Sequence, residues 1–167
     1  MYDNGDINWQ RQMQRETKMS KKTFKGRALL AGEVEGSATV SRIGFNTYTS
    51  YKKTMSGEMT DKAVCDDGDN TDLYGKDITN AILCLPQTIG STTGGFVLMG
   101  VAKMGVGPKA MLFSRHVDSL AIGGLVMADV WIDKHVIVID LLGQEFLDAV
   151  NTGDPVKVHE NGTVEIG

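Results

Sequence analysis

Between Asp77 and Phe113 the chain carries three short apolar runs punctuated by glycine, and this stretch limits the available folds more than any other. Asp77 to Leu85 is closed by Pro86 and suits a strand buried on both faces. Phe96 to Met104 is long enough for a three-turn helix. It is apolar almost all round, so it should lie covered on more than one side. Lys109 to Phe113 is the next strand. Asp118-Ser119 can then cap a helix through Leu120, Ile122, Leu125, Val126 and Met127. Val136 to Asp140 reads as a further buried strand, and Glu145 to Val150 as a helical turn or two ended near Gly153. Val156 to Glu160 and Thr163 to Ile166 flank Asn161-Gly162, a strong hairpin signal.

Before this stretch, Arg27 to Gly32 and Glu35 to Ser41 read as two short strands around a glycine turn. Strands first, then strand alternating with helix, then a closing hairpin predict an α/β fold: a barrel-like or sandwich sheet with packed helices. Gly44 to about Lys76 has neither period and exceeds an ordinary connection. It is expected to be a mobile lid or a surface ordered by a partner. Residues 1–25 hold six basic side chains among polar ones and read as a flexible polar and basic arm or a short docking helix, on which Trp9 and Met13 could face a partner. The folded domain is expected over residues 26–167.

At 167 residues the chain is sized for one core, and 41% hydrophobic with 23% charged residues argues against wholesale disorder. Seventeen basic against twenty-one acidic side chains give a net charge of -4, the wrong sign for a nucleic-acid surface. No apolar run approaches a membrane span, and the N-terminus is polar where a secretory signal would be apolar. The chain reads as soluble and cytoplasmic. Cys65 and Cys84 match no zinc or cluster spacing, so no metal site of its own is expected. Twenty glycines against three prolines, many inside apolar segments, imply close backbone approach.

Chemistry is most plausible at the turn from Pro86 to Gly95. A buried strand stops, Gly90-Ser91-Thr92-Thr93-Gly94-Gly95 follows, and a helix begins. Free N–H groups and the positive end of the helix dipole favour a carboxylate or phosphate there, and hydroxyls can add hydrogen bonds. No Gly-Lys-Ser or Gly-Lys-Thr closes the turn, so it is not a Walker loop, nor is it a dinucleotide fingerprint. The alternative is an ordinary N-cap at Ser91 or Thr92, with glycines that only permit packing. A second candidate is Ser114-Arg115-His116-Val117-Asp118, beyond the next strand, from which Arg115 could reach the same anion. The alternative there is a solvated turn capped by Asp118. Asp66 to Asp72 fails the calcium-loop register and reads as a solvated acidic turn.

Gly26-Arg27 leading into Gly32-Glu33 and Gly36, Leu83-Cys84-Leu85-Pro86 before Gly90-Ser91-Thr92, Ala121-Ile122-Gly123-Gly124, Thr152-Gly153-Asp154 and Gly162-Thr163-Val164 together resemble the small subunit, or swivel domain, of aconitase X. The resemblance covers residues 26–167. It implies a swivelling β/β/α domain that closes over a separate large subunit, with the active site at the interface and an iron–sulfur cluster carried by that partner. It also implies a hydro-lyase (dehydratase) acting on a small 3-hydroxy acid, cis-3-hydroxy-L-proline being favoured over mevalonate 5-phosphate, in a two-subunit enzyme of which this chain alone is inactive and free of iron. By the same resemblance Ser91 is catalytic, while the residues of its turn, Gly90, Thr92 and Thr93, together with Arg115, are expected to bind the substrate anion. The sequence departs from the family at Gln87-Thr88-Ile89, where relatives carry glycine and a basic residue; Arg115 is the candidate substitute. Two other readings stay open. One is a non-catalytic module that binds an anion and a partner, and the other a nucleotide-dependent enzyme.

Overall fold

A computed structural model describes residues 21–167; residues 1–20, with the expected roles of Trp9 and Met13, lie outside the described residues. Among the described residues, ten strands and five helices follow in the order β1 (Lys22–Lys25), β2 (Arg27–Leu30), β3 (Val34–Val40), β4 (Phe45–Asn46), α1 (Thr47–Ser50), α2 (Lys52–Met55), β5 (Ile82–Leu85), β6 (Thr88–Ile89), α3 (Gly94–Met104), β7 (Ala110–Phe113), α4 (Ser119–Ile132), β8 (Ile137–Asp140), α5 (Gln144–Ala149), β9 (Pro155–Val158) and β10 (Thr163–Ile166).

Eight strands form one sheet in the order β1-β10-β9-β3-β5-β7-β8-β2, and β4 pairs with β6 in a second, two-stranded parallel piece. β3, β5, β7 and β8 run parallel, while β2 lies antiparallel to β8 and the β9–β10 hairpin returns along the first half of β3. β1 and β2 sit at opposite edges yet are joined by Gly26 alone, so the sheet must curl until its edges nearly meet. At the seam the Gly26 N–H donates to the Gly162 carbonyl at 3.0 Å. A Cβ on Gly26 would come within 2.6 Å of the Asp140 carbonyl oxygen, so only glycine crosses there. The expected α/β class with a barrel-like sheet is what the molecule has.

Both faces of the parallel strands are buried, which is why they read as unbroken apolar runs. Leu83, Leu85, Met111, Phe113 and Val138 face one core with α3 and α4. Ile82, Cys84, Ala110, Leu112, Ile137 and Ile139 face the barrel interior, closed by Phe146 and Leu147 of α5. The helix read from Phe96 onward is α3, but it is covered less completely than expected: Phe96 is 63% exposed. No helix among the described residues is long and apolar enough to cross a membrane.

Three expectations are corrected. The sheet begins at Lys22 rather than Gly26, because the half-buried Phe24 packs against Phe146 with ring centroids 5.5 Å apart and anchors the edge strand. β2 and β3 stand on either side of Gly32 as expected, and each pairs with other strands. The segment from Gly44 to Lys76 is packed: Phe45, Tyr51, Ala63, Cys65 and Leu73 enter the core beneath α3. Its acidic turn is not fully solvated either. Asn70 is buried and its side-chain oxygen accepts from Ser41 Oγ at 3.1 Å and Leu73 N at 3.2 Å, while Asp72 accepts from Arg42 N at 2.7 Å. Backbone and side-chain bonds to the Ser41-Arg42 corner replace the regular ladder that a periodic sequence would have announced.

Candidate functional site at the Ser91 turn

The parallel strands end at Leu85, Phe113 and Asp140, and the connections that follow lie at the same end of the sheet. Their backbones continue the ladder: Ser114 N donates to Leu85 O, Arg115 N to Pro86 O, Leu141 N to Arg115 O and Gly143 N to Ser114 O, at 2.9 to 3.2 Å. This end, beyond the carboxyl termini of the strands, is where an open α/β sheet collects its ligands.

Gly90, at φ +98, turns the chain out of β6, and its missing Cβ leaves room for the Asn46 side chain, which would otherwise lie within 2.6 Å. Ser91 is exposed. Its Oγ accepts the Thr93 N–H at 3.2 Å and lies 2.8 Å from Thr93 Oγ1. Thr93 occupies the N-cap of α3 without a side-chain cap bond, so the N–H groups of Gly95 and Phe96 have no intrahelical partner and the positive end of the helix points at the turn. Gly90, Ser91, Gly94, Thr47, Thr88, Ile89, Asp118, Leu120 and Ala121 line a concavity of about 200 Å³.

The N-terminus of α4 lies on the same concavity. Asp118 is its N-cap as expected: Oδ1 accepts from Leu120 N and Ala121 N, both at 2.9 Å, and Oδ2 accepts from the Thr88 hydroxyl. The second helix dipole therefore already faces its own carboxylate, and the α3 end is left to act on a ligand. The two helices meet backbone to backbone at Gly95 and Gly124, where a Cβ on either glycine would overlap the other helix.

Among the residues expected at the site, Gly90 and Ser91 line the concavity. Thr92 and Thr93 stand exposed on the same turn, Thr93 bonded to Ser91, without lining it. Arg115 is exposed at the mouth of the neighbouring strand and does not line the concavity. It sits beside a cluster that sequence reasoning missed. Asp140, fully buried, accepts from Arg27 Nε at 3.0 Å, from Arg27 Nη2 at 2.8 Å and from Val117 N at 3.1 Å. The bonded carboxylate holds the Arg27 guanidinium above its ordinary range, and the His116 ring lies 3.2 Å from Arg27 Nη2. The signal was present: a charged residue ending a buried apolar strand requires a partner, and Gly26-Arg27 supplied one.

A larger open groove of about 510 Å³ runs beside β3, β9 and β10. Its Lys21 and Glu165 pair at 2.6 Å, and Lys157 pairs with Glu35, so its charges neutralise one another and it offers a ligand little.

The described residues hold no group of three or more His, Cys, Asp or Glu placed to ligate a metal. Cys65 and Cys84 lie in the two different cores, and burial pushes both thiols up, which disfavours the thiolate that a cluster iron binds. The donor set for an iron–sulfur cluster is thus not among the described residues.

A family model described as the aconitase X swivel domain matches residues 23–166. The phosphomevalonate dehydratase small subunit of Archaeoglobus fulgidus is 31% identical over 86% of this chain and 97% of its own length. The proteins of the same name from Pyrococcus furiosus and Methanocaldococcus jannaschii are each 30% identical over 86% of this chain, covering 94% and 96% of their own lengths. Among solved structures, the holo form of aconitase X from Thermococcus kodakaraensis superposes with a TM-score of 0.72 over 87% of this chain and 98% of that chain, at 24% identity. A UPF0107 protein determined by solution NMR superposes at 0.69 over 87% of this chain and 99% of that chain, at 27% identity.

Proposed function

Since the chain belongs to the aconitase X swivel-domain family, we propose that it is the small subunit of a two-subunit hydro-lyase that dehydrates mevalonate 5-phosphate, with the reaction centre formed where this chain meets a large subunit. The relatives named above from Archaeoglobus fulgidus, Pyrococcus furiosus and Methanocaldococcus jannaschii carry the phosphomevalonate dehydratase name, which favours mevalonate 5-phosphate over the cis-3-hydroxy-L-proline expected first. The large subunit brings the iron–sulfur cluster, a Lewis acid that can polarise the leaving hydroxyl.

What supports the reading most is the Ser91 turn itself: a hydroxyl at a helix N-terminus, opening into a small concavity, with no complete catalytic set among the described residues. Dehydration of a 3-hydroxy acid requires a base for the proton α to the carboxylate. Ser91 Oγ, with its own proton already given up, takes that proton, the C–H electron pair becomes the double bond, and the β-hydroxyl departs with the C–O electron pair, taking up a proton to leave as water. An alkoxide is costly in water. Here the Thr93 N–H already donates to Ser91 Oγ, Thr93 Oγ1 can add a second donor, and the α3 dipole favours negative charge at the same place. These contacts hold the charged form, and closure of the partner over the exposed turn removes the water that would compete.

Co-expression with a large subunit encoded by a neighbouring gene, followed by assay of both 3-hydroxy acids, tests the proposal. Dehydration of mevalonate 5-phosphate is expected from the purified pair and from neither chain alone. A pair that turns over only cis-3-hydroxy-L-proline overturns the substrate, and a chain that binds an anion but never a dehydratase partner overturns the enzyme reading.

A further inference from the structure

Ser91 stands on an exposed turn, and a proton acceptor there is useful only if the turn is held still. One side is held by the β4–β6 ladder, Phe45 opposite Thr88 and Asn46 opposite Ile89, with the Asn46 side chain packed under Gly90. On the other side, besides the backbone bonds from Arg115 N to Pro86 O and from Gly94 N to Ser91 O, a side-chain bond ties the strand to α4: the Thr88 hydroxyl, on a residue 9% exposed and three positions before Ser91, donates to Asp118 Oδ2. Capping α4 does not require this bond. Oδ1 alone accepts both helix N–H groups, so Oδ2 and the Thr88 hydroxyl are free to do something else.

We propose that the Thr88–Asp118 hydrogen bond is a positioning device for Ser91, tying the strand that carries the turn to the first turn of α4. The inference rests on Ser91 acting as the proton acceptor. Both partners line the Ser91 concavity of about 200 Å³, so the bond also occupies the carboxylate oxygen that would otherwise face an anion bound there. Asp118 and Thr88 act through Ser91 and take no part in the proton transfer. Misplacing a reacting group by about 1 Å costs on the order of a hundredfold in rate.

The test uses the assembled two-subunit enzyme with Thr88→Val, which keeps the β-branched shape and deletes the donor, and Thr88→Ser, which restores it. Thr88→Val is expected to lower kcat by about 10- to 100-fold, with an unfolding midpoint and subunit association like those of the parent. Thr88→Ser is expected to regain most of the lost kcat. Four results overturn the inference. If Thr88→Val keeps full kcat while Ser91→Ala is inactive, the bond positions nothing and Ser91 keeps its role. If Thr88→Val loses stability in step with activity, or Thr88→Ser fails to recover, Thr88 is a packing residue. If Ser91→Ala is itself fully active, the proton-acceptor reading falls and this inference falls with it.

Discussion

Replacing Ser91 by alanine in the assembled enzyme is expected to lower turnover by roughly a hundredfold to ten-thousandfold, the range that loss of a positioned base produces. Protein stability should not change. The Ser91 side chain is exposed and bonds only to Thr93, so its removal leaves no buried polar group without a partner. The α3 N-terminus remains to hold an anion, so substrate binding is expected to suffer much less than kcat. Steady-state kinetics read the split: a fall in kcat with KM near the parental value marks an interaction made in the transition state, whereas a rise in KM alone would make Ser91 only a binding residue.

The second large effect concerns the seam beneath that turn. Gly124→Ala is expected to destabilise the chain by about 3 kcal/mol, at the upper end of what overpacking costs. The added Cβ would overlap the Gly95 backbone and has no flexible side chain to push aside, so α3 and α4 must separate. Gly123 supplies the control one residue earlier on the same helix. Its Cβ would meet nothing within 4 Å. Gly123→Ala is therefore expected to stabilise the chain by up to about 1 kcal/mol, the helix-propensity difference between glycine and alanine. Urea unfolding of the two variants should move the midpoint in opposite directions. If both shift alike, the backbone contact between the helices is absent.

That pair of glycines illustrates what the sequence discloses and what it withholds. Glycine inside an apolar helix announces a close approach, but nothing in Ala121-Ile122-Gly123-Gly124 tells which glycine faces the neighbour, because that depends on where the second helix crosses. The parallel strands were legible for a related reason: burial on both faces leaves uninterrupted apolar runs at Ile82–Leu85, Ala110–Phe113 and residues 137–139. The Asp118 cap and the Asn161-Gly162 hairpin were legible because one local bond or one dihedral decides each.

The segment from Gly44 to Lys76 was not legible. Phe45, Tyr51, Ala63, Cys65 and Leu73 reach the core from short helices and bends, at spacings that match neither a helix nor a strand. The segment expected to be a mobile lid or a surface ordered by a partner is instead part of the site's floor, contributing Thr47 to the concavity and Asn46 to the back of Gly90. The Ser91 turn was legible from its strand–glycine–hydroxyl–helix order. Its braces at Thr88 and Asp118 were not, since a contact across 30 residues leaves no trace in one sequence.

A structure of the assembled pair with a 3-hydroxy acid bound puts the account to its most direct test, by the separation of Ser91 Oγ from the substrate carbon that loses its proton. The account predicts that oxygen facing the carbon at hydrogen-bonding range, about 3 Å, in a site sealed by the second polypeptide. A hydroxyl turned away from the substrate, or a substrate bound entirely within the large subunit, would contradict it.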